Sequence, residues 1–234
     1  TVNHTNTSGT KTFTGLVTIN TGGAWNNTVN EAITFRGGLA HSGTTFQSGT
    51  ATQTFNGTSK AIGGATAISI TSLTISGTTT NNGNLTVTTT LGGTSTLTNG
   101  ANARLNFGGT SITPTILAIA NGNTVNYYRS NTQTVKATTY QNLTLSGTSA
   151  KTIPAGTSIS GNLNIRPGGT GSATASVAAL QNIPVATLSF ADVIQANGTY
   201  GYSGQTYNYP AYFANTTGYL TVGTAAATKG VLTT

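Results

Sequence analysis

The chain holds very little of the side-chain chemistry that enzymes use. Its 234 residues include two acids, Glu31 and Asp192, two histidines, His4 and His41, and no cysteine. A carboxylate pair, a Ser-His-Asp triad or a metal site would each need nearly this whole supply to converge at one point. The sharpest enzymatic reading is a Glu31/Asp192 glycosidase pair, in which the separation of the carboxyls sets retaining or inverting chemistry. The plainer reading places Glu31 in a turn after Asn30 and lets Asp192 cap a local backbone group. The expectation is a protein that is not an enzyme and takes no cofactor or metal.

Three other patterns could serve binding. Threonines alternate with other residues at Thr78/Thr80, Thr86/Thr88/Thr90, Thr94/Thr96/Thr98 and Thr132/Thr134. Alternation of this kind resembles the hydroxyl and methyl array of ice-binding β-solenoids, although the pairs fall irregularly among Asn and Gly. Tyr200, Tyr202, Tyr207, Tyr209, Tyr212 and Tyr219 crowd around Pro210. Such a cluster suits a subunit contact first, a core second and a sugar-stacking platform third. Asn3, Asn6, Asn26, Asn56, Asn84, Asn142, Asn197 and Asn215 each open an Asn-x-Ser/Thr triplet and are candidate glycosylation sites in an exported protein. Asn84 and Asn142 open strand cores and are expected to be the less accessible ones.

The elements that would position these residues are β-strands. Apolar residues alternate with Thr or Asn in Phe13 to Ile19, Ile68 to Ile70, Leu73 to Ile75, Leu85 to Val87, Leu163 to Ile165 and Tyr219 to Val222, and Gly-Gly and Asn-Gly pairs punctuate them. One short helical turn around Ala175 to Gln181 is the exception. Two blocks, Thr54-Phe55-Asn56 with Leu73 to Gly77 and Thr124-Val125-Asn126 with Leu143 to Gly147, repeat in register at one constant offset. Leu73, Leu85 and Leu97 recur at equal spacing. Register-locked duplication favours an all-β parallel β-solenoid, whose coils cover one another's apolar faces, with a β-sandwich or jelly roll as the alternative.

The stretches Asn123 to Val135, Tyr140 to Gly147, Lys151 to Thr157 and Ser160 to Ile165 resemble the repeats of large secreted bacterial surface proteins of the adhesin type, common in Bacteroidetes-like organisms. The likeness covers about residues 50 to 166. It implies right-handed parallel β-helix rungs and a cell-surface role, and it carries no catalytic residue. This chain is shorter than those adhesins, which favours assembly of many small copies.

Charge narrows the partners. Charged residues make up 5% of the chain against about 25% in ordinary soluble domains. The net charge of +7 comes from lysines and arginines scattered singly, with no cluster beside aromatics of the kind a nucleic-acid site requires. No apolar stretch is long enough for a membrane-spanning helix. The absence of an initiator Met at Thr1 suggests a processed, exported chain located outside the cell or on its surface.

These observations lead to an expected division into an N-terminal arm and strand (1–19), a solenoid body (20–170) and a tyrosine-rich C-terminal cap or subdomain (171–234). The expected function is a structural subunit that polymerises head to tail with other copies of itself into an extracellular filament or coat. Phe13, Leu16, Val17 and Ile19 would be donated as a detachable strand to the tyrosine-rich segment of a neighbour. The alternatives are a monomeric adhesin or carbohydrate-binding fragment that takes surface glycans, and an ice-binding solenoid.

Overall fold

The computed structural model describes residues 1–3, 5 and 9–223, leaving aside the side chain of Pro167. Apart from a 3-10 turn at Pro167–Gly169, the regular elements are all β-strands. They wind into a parallel β-solenoid of about nine turns. Its cross-section has three sides.

One ladder contains Lys11–Phe13, Ile33–Phe35, Thr52–Phe55 and the later halves of Ile68–Ile75 and Asn84–Gly93. It continues through a bridge from Leu91 to Ile112 and then through Gln133–Thr134, Ala150–Ile153 and Thr174–Val177. A second ladder contains the first halves of Ile68–Ile75 and Asn84–Gly93, then Arg104–Phe107, Thr124–Tyr127, Asn142–Leu145 and the ends of Ser158–Ile165 and Asn182–Phe190. The third runs from Val17–Ile19 through Leu39–His41, Lys60–Gly63, Thr79–Asn81 and Thr96–Asn99 to Thr115–Leu117.

Alternation explains why these residues make these strands. Parallel pairing sets equivalent residues level, so every second side chain points to the axis and stacks on its counterpart in the next coil. Ile68, Leu85, Leu105, Val125, Leu143, Leu163 and Leu188 form one such inner column. Phe13, Phe35 and Phe55 begin another, with ring centroids 6.1 and 5.1 Å apart. Full burial of each aliphatic side chain is worth about 1.5–3 kcal/mol. At the corners the backbone turns sharply. Gly93 adopts φ +117° level with Ile75, and a Cβ there would lie 2.1 Å from the Ile75 carbonyl oxygen.

The repeating unit is one coil and not the duplicated block. Leu105 stands directly above Leu85, and Leu91 directly above Leu73. The equally spaced Leu73, Leu85 and Leu97 fall on the first, second and third ladders in turn, so their spacing carries the chain past one side of the coil to the next but one, and it is Leu91 that closes the coil over Leu73. The two copies of the block also sit differently. Thr54 is level with Thr74, while Thr124 is level with Asn142, because the coils between them differ in length.

Three further expectations are corrected. The expected arm strands are the first coil of their own stack. Lys11–Phe13 pairs with Ile33–Phe35 and Val17–Ile19 with Leu39–His41, and Phe13 rests on Phe35 and Trp25. Pairing also crosses the expected boundary at residue 170 without a break, from Ser158–Ile165 to Asn182–Phe190 and on to Tyr219–Val222. Finally, Ala175 to Gln181 holds the end of a strand followed by a turn, since Ala175 and Val177 alternate inward with the column above Lys151 and Ile153.

Leu105→Ala should lower the free energy of unfolding by about 2–5 kcal/mol because it opens a cavity in a closed column. Thr54→Ala, on the outer side of a strand, should change it by about 0.5 kcal/mol or less. Chemical denaturation of the two variants checks the inward and outward assignment.

Candidate functional site

The ladder that begins at Lys11–Phe13 presents an ordered hydroxyl surface. Its outward positions stack as two columns. Thr52, Ser72 and Thr90 are level in three successive coils, Leu91 pairs with Ile112 and so sets Ser111 beside Thr90, and the Thr134 amide donates to the Thr110 carbonyl at 3.2 Å. Thr134 is in turn level with Thr152 and Thr152 with Ser176. Two residues along the strands, Thr12, Thr34, Thr54 and Thr74 form the second column, which passes Gly92 and ends at Thr113. Neither column contains a charged or aromatic residue up to Thr113, where the Lys136 ammonium donates to the Thr113 carbonyl at 3.1 Å and ends the second column.

Beneath this face, unusual polar residues serve the core. Gln53 Nε2 donates to the carbonyls of Glu31, Ser48 and Ala51, each at 3.1 Å. Gln133 Nε2 serves Phe107 and Gly109 at 3.0 and 2.7 Å. Lys151 is 0% exposed, and its ammonium donates to the carbonyls of Arg129, Asn131 and Thr148. Desolvation, with the Arg129 charge adding to it, lowers the Lys151 pKa to about 8. These side chains satisfy the carbonyls that turn inward at the corners, which keeps the strands above them straight.

The neighbouring face is built differently. Asn106 Nδ2 donates to Asn84 Oδ1 at 2.8 Å, Asn126 Nδ2 to Asn106 Oδ1 at 3.2 Å, and Ser146 Oγ to Asn126 Oδ1 at 2.8 Å. Its polar groups are consumed by one another. On the hydroxyl face, among the described residues, the side-chain hydroxyls of Thr34, Thr54, Thr74 and Thr90 hydrogen-bond no protein atom.

The residues proposed for catalysis are not brought together. Glu31 lies in the first coil, ion-paired to Lys11 at 2.6 Å, while Asp192 lies after the last strand of the second ladder and accepts from Asn164 Nδ2 and the Gly168 amide. Several coils separate them, on the order of 35 Å at the usual strand spacing. Those two donors hold the Asp192 carboxyl below its ordinary range. His41 is buried against Phe46, and its pKa is lowered by desolvation. His4 lies outside the described residues. Tyr127 and Tyr140 form a buried pair, with hydroxyls 3.0 Å apart. Tyr140 donates to the Lys136 carbonyl at 2.6 Å and Tyr127 accepts from the Lys136 amide at 2.9 Å. Burial pushes Tyr127 up to about 12 and Tyr140 well above its ordinary value.

The tyrosine-rich segment closes the stack. Gly198–Gly201 runs antiparallel to Tyr219–Val222, and Tyr200 is buried. Phe190 carries Tyr212 stacked at 4.1 Å and Tyr209 edge-on at 5.0 Å, and Arg166 lies over Tyr212 at 4.7 Å. Tyr202, Tyr207, Tyr209 and Tyr212 are half-buried against this core, and Tyr219 is half-buried in its strand. Of the N-terminal set, Ile19 is buried, Phe13 and Val17 are half-buried, and Leu16 stands 60% exposed.

Among the glycosylation candidates Asn3, Asn56, Asn197 and Asn215 are exposed, Asn26 is half-buried, and Asn6 lies outside the described residues. Asn84 is exposed as well, against expectation, because its strand position points outward; Asn142 is half-buried.

The threonine pairs legible in tandem contribute only in part to the hydroxyl face. Thr80 and Thr98 lie on the third ladder and Thr86 on the second, while Thr90 and Thr134 belong to the face. The signal that finds it is the recurrence of Thr or Ser pairs one coil apart, at 52/54, 72/74 and 111/113. Comparison with protein-family models, curated proteins and solved structures finds no match.

Between pH 8 and 10.5 the unfolded chain holds a proton on Lys151 that the folded chain has shed, so stability should climb as pH rises through this window. Above about pH 10 the unfolded tyrosines ionise while folded Tyr127 and Tyr140 stay neutral, and stability should fall. A thermal midpoint that peaks near pH 10, with the climb abolished in Lys151→Met, is the expected result of a pH series.

Proposed function

We propose that the protein is a non-enzymatic binding module of an exported surface protein and that its working part is the hydroxyl face, which engages an extended, repeating surface. The observation that carries this reading is the two-column array itself: it is uncharged, rigidly spaced by main-chain pairing, and has hydroxyls free to bond outside the molecule. An array of outward side chains on a strand ladder offers little to a small ligand, which favours concave sites with convergent polar groups. It suits a partner that repeats as the coils do. The exported setting is supported by a surface that relies on hydroxyls and amides instead of ions.

The ends of the stack favour this reading over a head-to-tail filament. Heterologous stacking needs two complementary ends. Among the described residues an antiparallel strand and the tyrosine cluster fold over the C-terminal coil, which is how a solenoid blocks further pairing.

Co-sedimentation with microcrystalline cellulose, chitin and polycrystalline ice tests the reading. At least one of these solids should retain the chain. The double substitution Thr54→Tyr/Thr74→Tyr should weaken retention by about tenfold or more. Thr80→Tyr/Thr98→Tyr on the third ladder should leave it unchanged. Equal retention of both variants, or retention by none of the solids, removes the hydroxyl face from the function.

A further inference from the structure

The repeat distances and side-chain chemistry of the hydroxyl face assign its partner: we infer that the face binds the crystal lattice of ice. This inference rests on the reading of the face as a binding surface and names what it binds.

The spacing comes first. Coils stack about 4.8 Å apart, and outward residues two apart along a strand lie a little under 7 Å apart. Thr52, Ser72 and Thr90 repeat along the first direction; Thr52 and Ser72 are paired along the second with Thr54 and Thr74, and Thr90 with Gly92. These two repeats lie close to the oxygen repeats of a prism plane of hexagonal ice. The match extends over several coils because hydrogen-bonded parallel pairing fixes the register at every step.

Chemistry separates ice from the other repeating solids. Crystalline polysaccharide is bound by aromatic rings stacked on sugar faces, and a protein partner is bound through buried aromatic or arginine anchors. Neither column offers an aromatic or a charge. Threonine offers a hydroxyl and a methyl on one rigid, β-branched stem, so each position can hold a water oxygen while its methyl covers the gap beside it. The absence of charge matters for the same reason, since an ion would order water around itself and out of register with the lattice. The neighbouring asparagine face shows the contrast. It is as regular, but its amides bond to one another from Asn84 through Asn126, which leaves few groups to take up water. Pre-organisation supplies the affinity: a side chain on a fixed strand loses little freedom on binding, so many weak contacts add.

The experiment is to grow a slowly cooled ice body in a dilute solution of the full chain and to measure the protein in the ice and in the remaining liquid, together with the shape of single ice crystals. Wild type and Thr80→Tyr/Thr98→Tyr should enter the ice and facet the crystals. Thr54→Tyr/Thr74→Tyr should stay in the liquid and leave crystals round, with an unchanged far-ultraviolet spectrum and melting point. Exclusion of the wild type from ice, to the extent of an unrelated globular protein, overturns the inference. If that excluded protein is still retained by cellulose or chitin and released by Thr54→Tyr/Thr74→Tyr, the binding-face reading stands without ice; if no solid retains it, both fall.

Discussion

Main-chain hydrogen bonding between successive coils is the interaction on which everything else in this molecule depends. Parallel pairing sets the residues of one coil level with those of the next, so a choice made once in sequence becomes a column in space. Leucines inside become a continuous apolar axis from Ile68 to Leu188, and threonines outside become a lattice. The same bonding leaves a difficulty at each corner, where carbonyls turn away from the ladder. Asn27, Gln53, Gln133 and Lys151 resolve it from within, each by donating to two or three carbonyls. A buried carbonyl left without a donor costs about 1–3 kcal/mol, which explains why polar and even cationic side chains are tolerated in the core.

The faces divide the work. The asparagine face bonds to itself, and its amide ladder reinforces the stack. The hydroxyl face contributes little of this kind. Thr52 and Ser72 of the first column have hydroxyls 3.3 Å apart, but those of Thr34, Thr54 and Thr74 in the second hydrogen-bond no protein atom. Stability is thus drawn from the inner columns and the amide ladder more than from the hydroxyl face. The tyrosine cluster has its own part in this arrangement. Packed around Phe190, it covers the end of the column among the described residues.

Electrostatics is sparse here but localised. A surface with so few ions responds weakly to salt or pH, and the responsive groups are buried ones: Lys151 held by carbonyls, and the Tyr127/Tyr140 pair locked to the Lys136 backbone. Both have pKa values displaced from the ordinary ones chiefly because folding takes them out of water.

The strands, the near absence of helix, the inward direction of Leu73 and Leu143, and the solenoid class were legible in the sequence because a period of two and a recurring apolar pattern need no tertiary information. What the sequence could not show is which residues stand level. Coil length varies along the stack, as the unequal steps from Leu73 to Leu91, Leu85 to Leu105 and Phe13 to Phe35 show, so two blocks at a constant offset in sequence drift out of register in space. The tandem threonines looked irregular for that reason. An outward column is assembled from residues a whole coil apart, and only the pairing of the coils decides which of them meet. The same holds for Phe13 to Ile19 and for the tyrosines: alternation and aromatic content mark them as surfaces that must be covered, but the sequence does not say by what. The tertiary structure packs them against the chain's own coils, all but the exposed Leu16, because a parallel stack can satisfy its apolar columns and main-chain donors locally, one turn at a time.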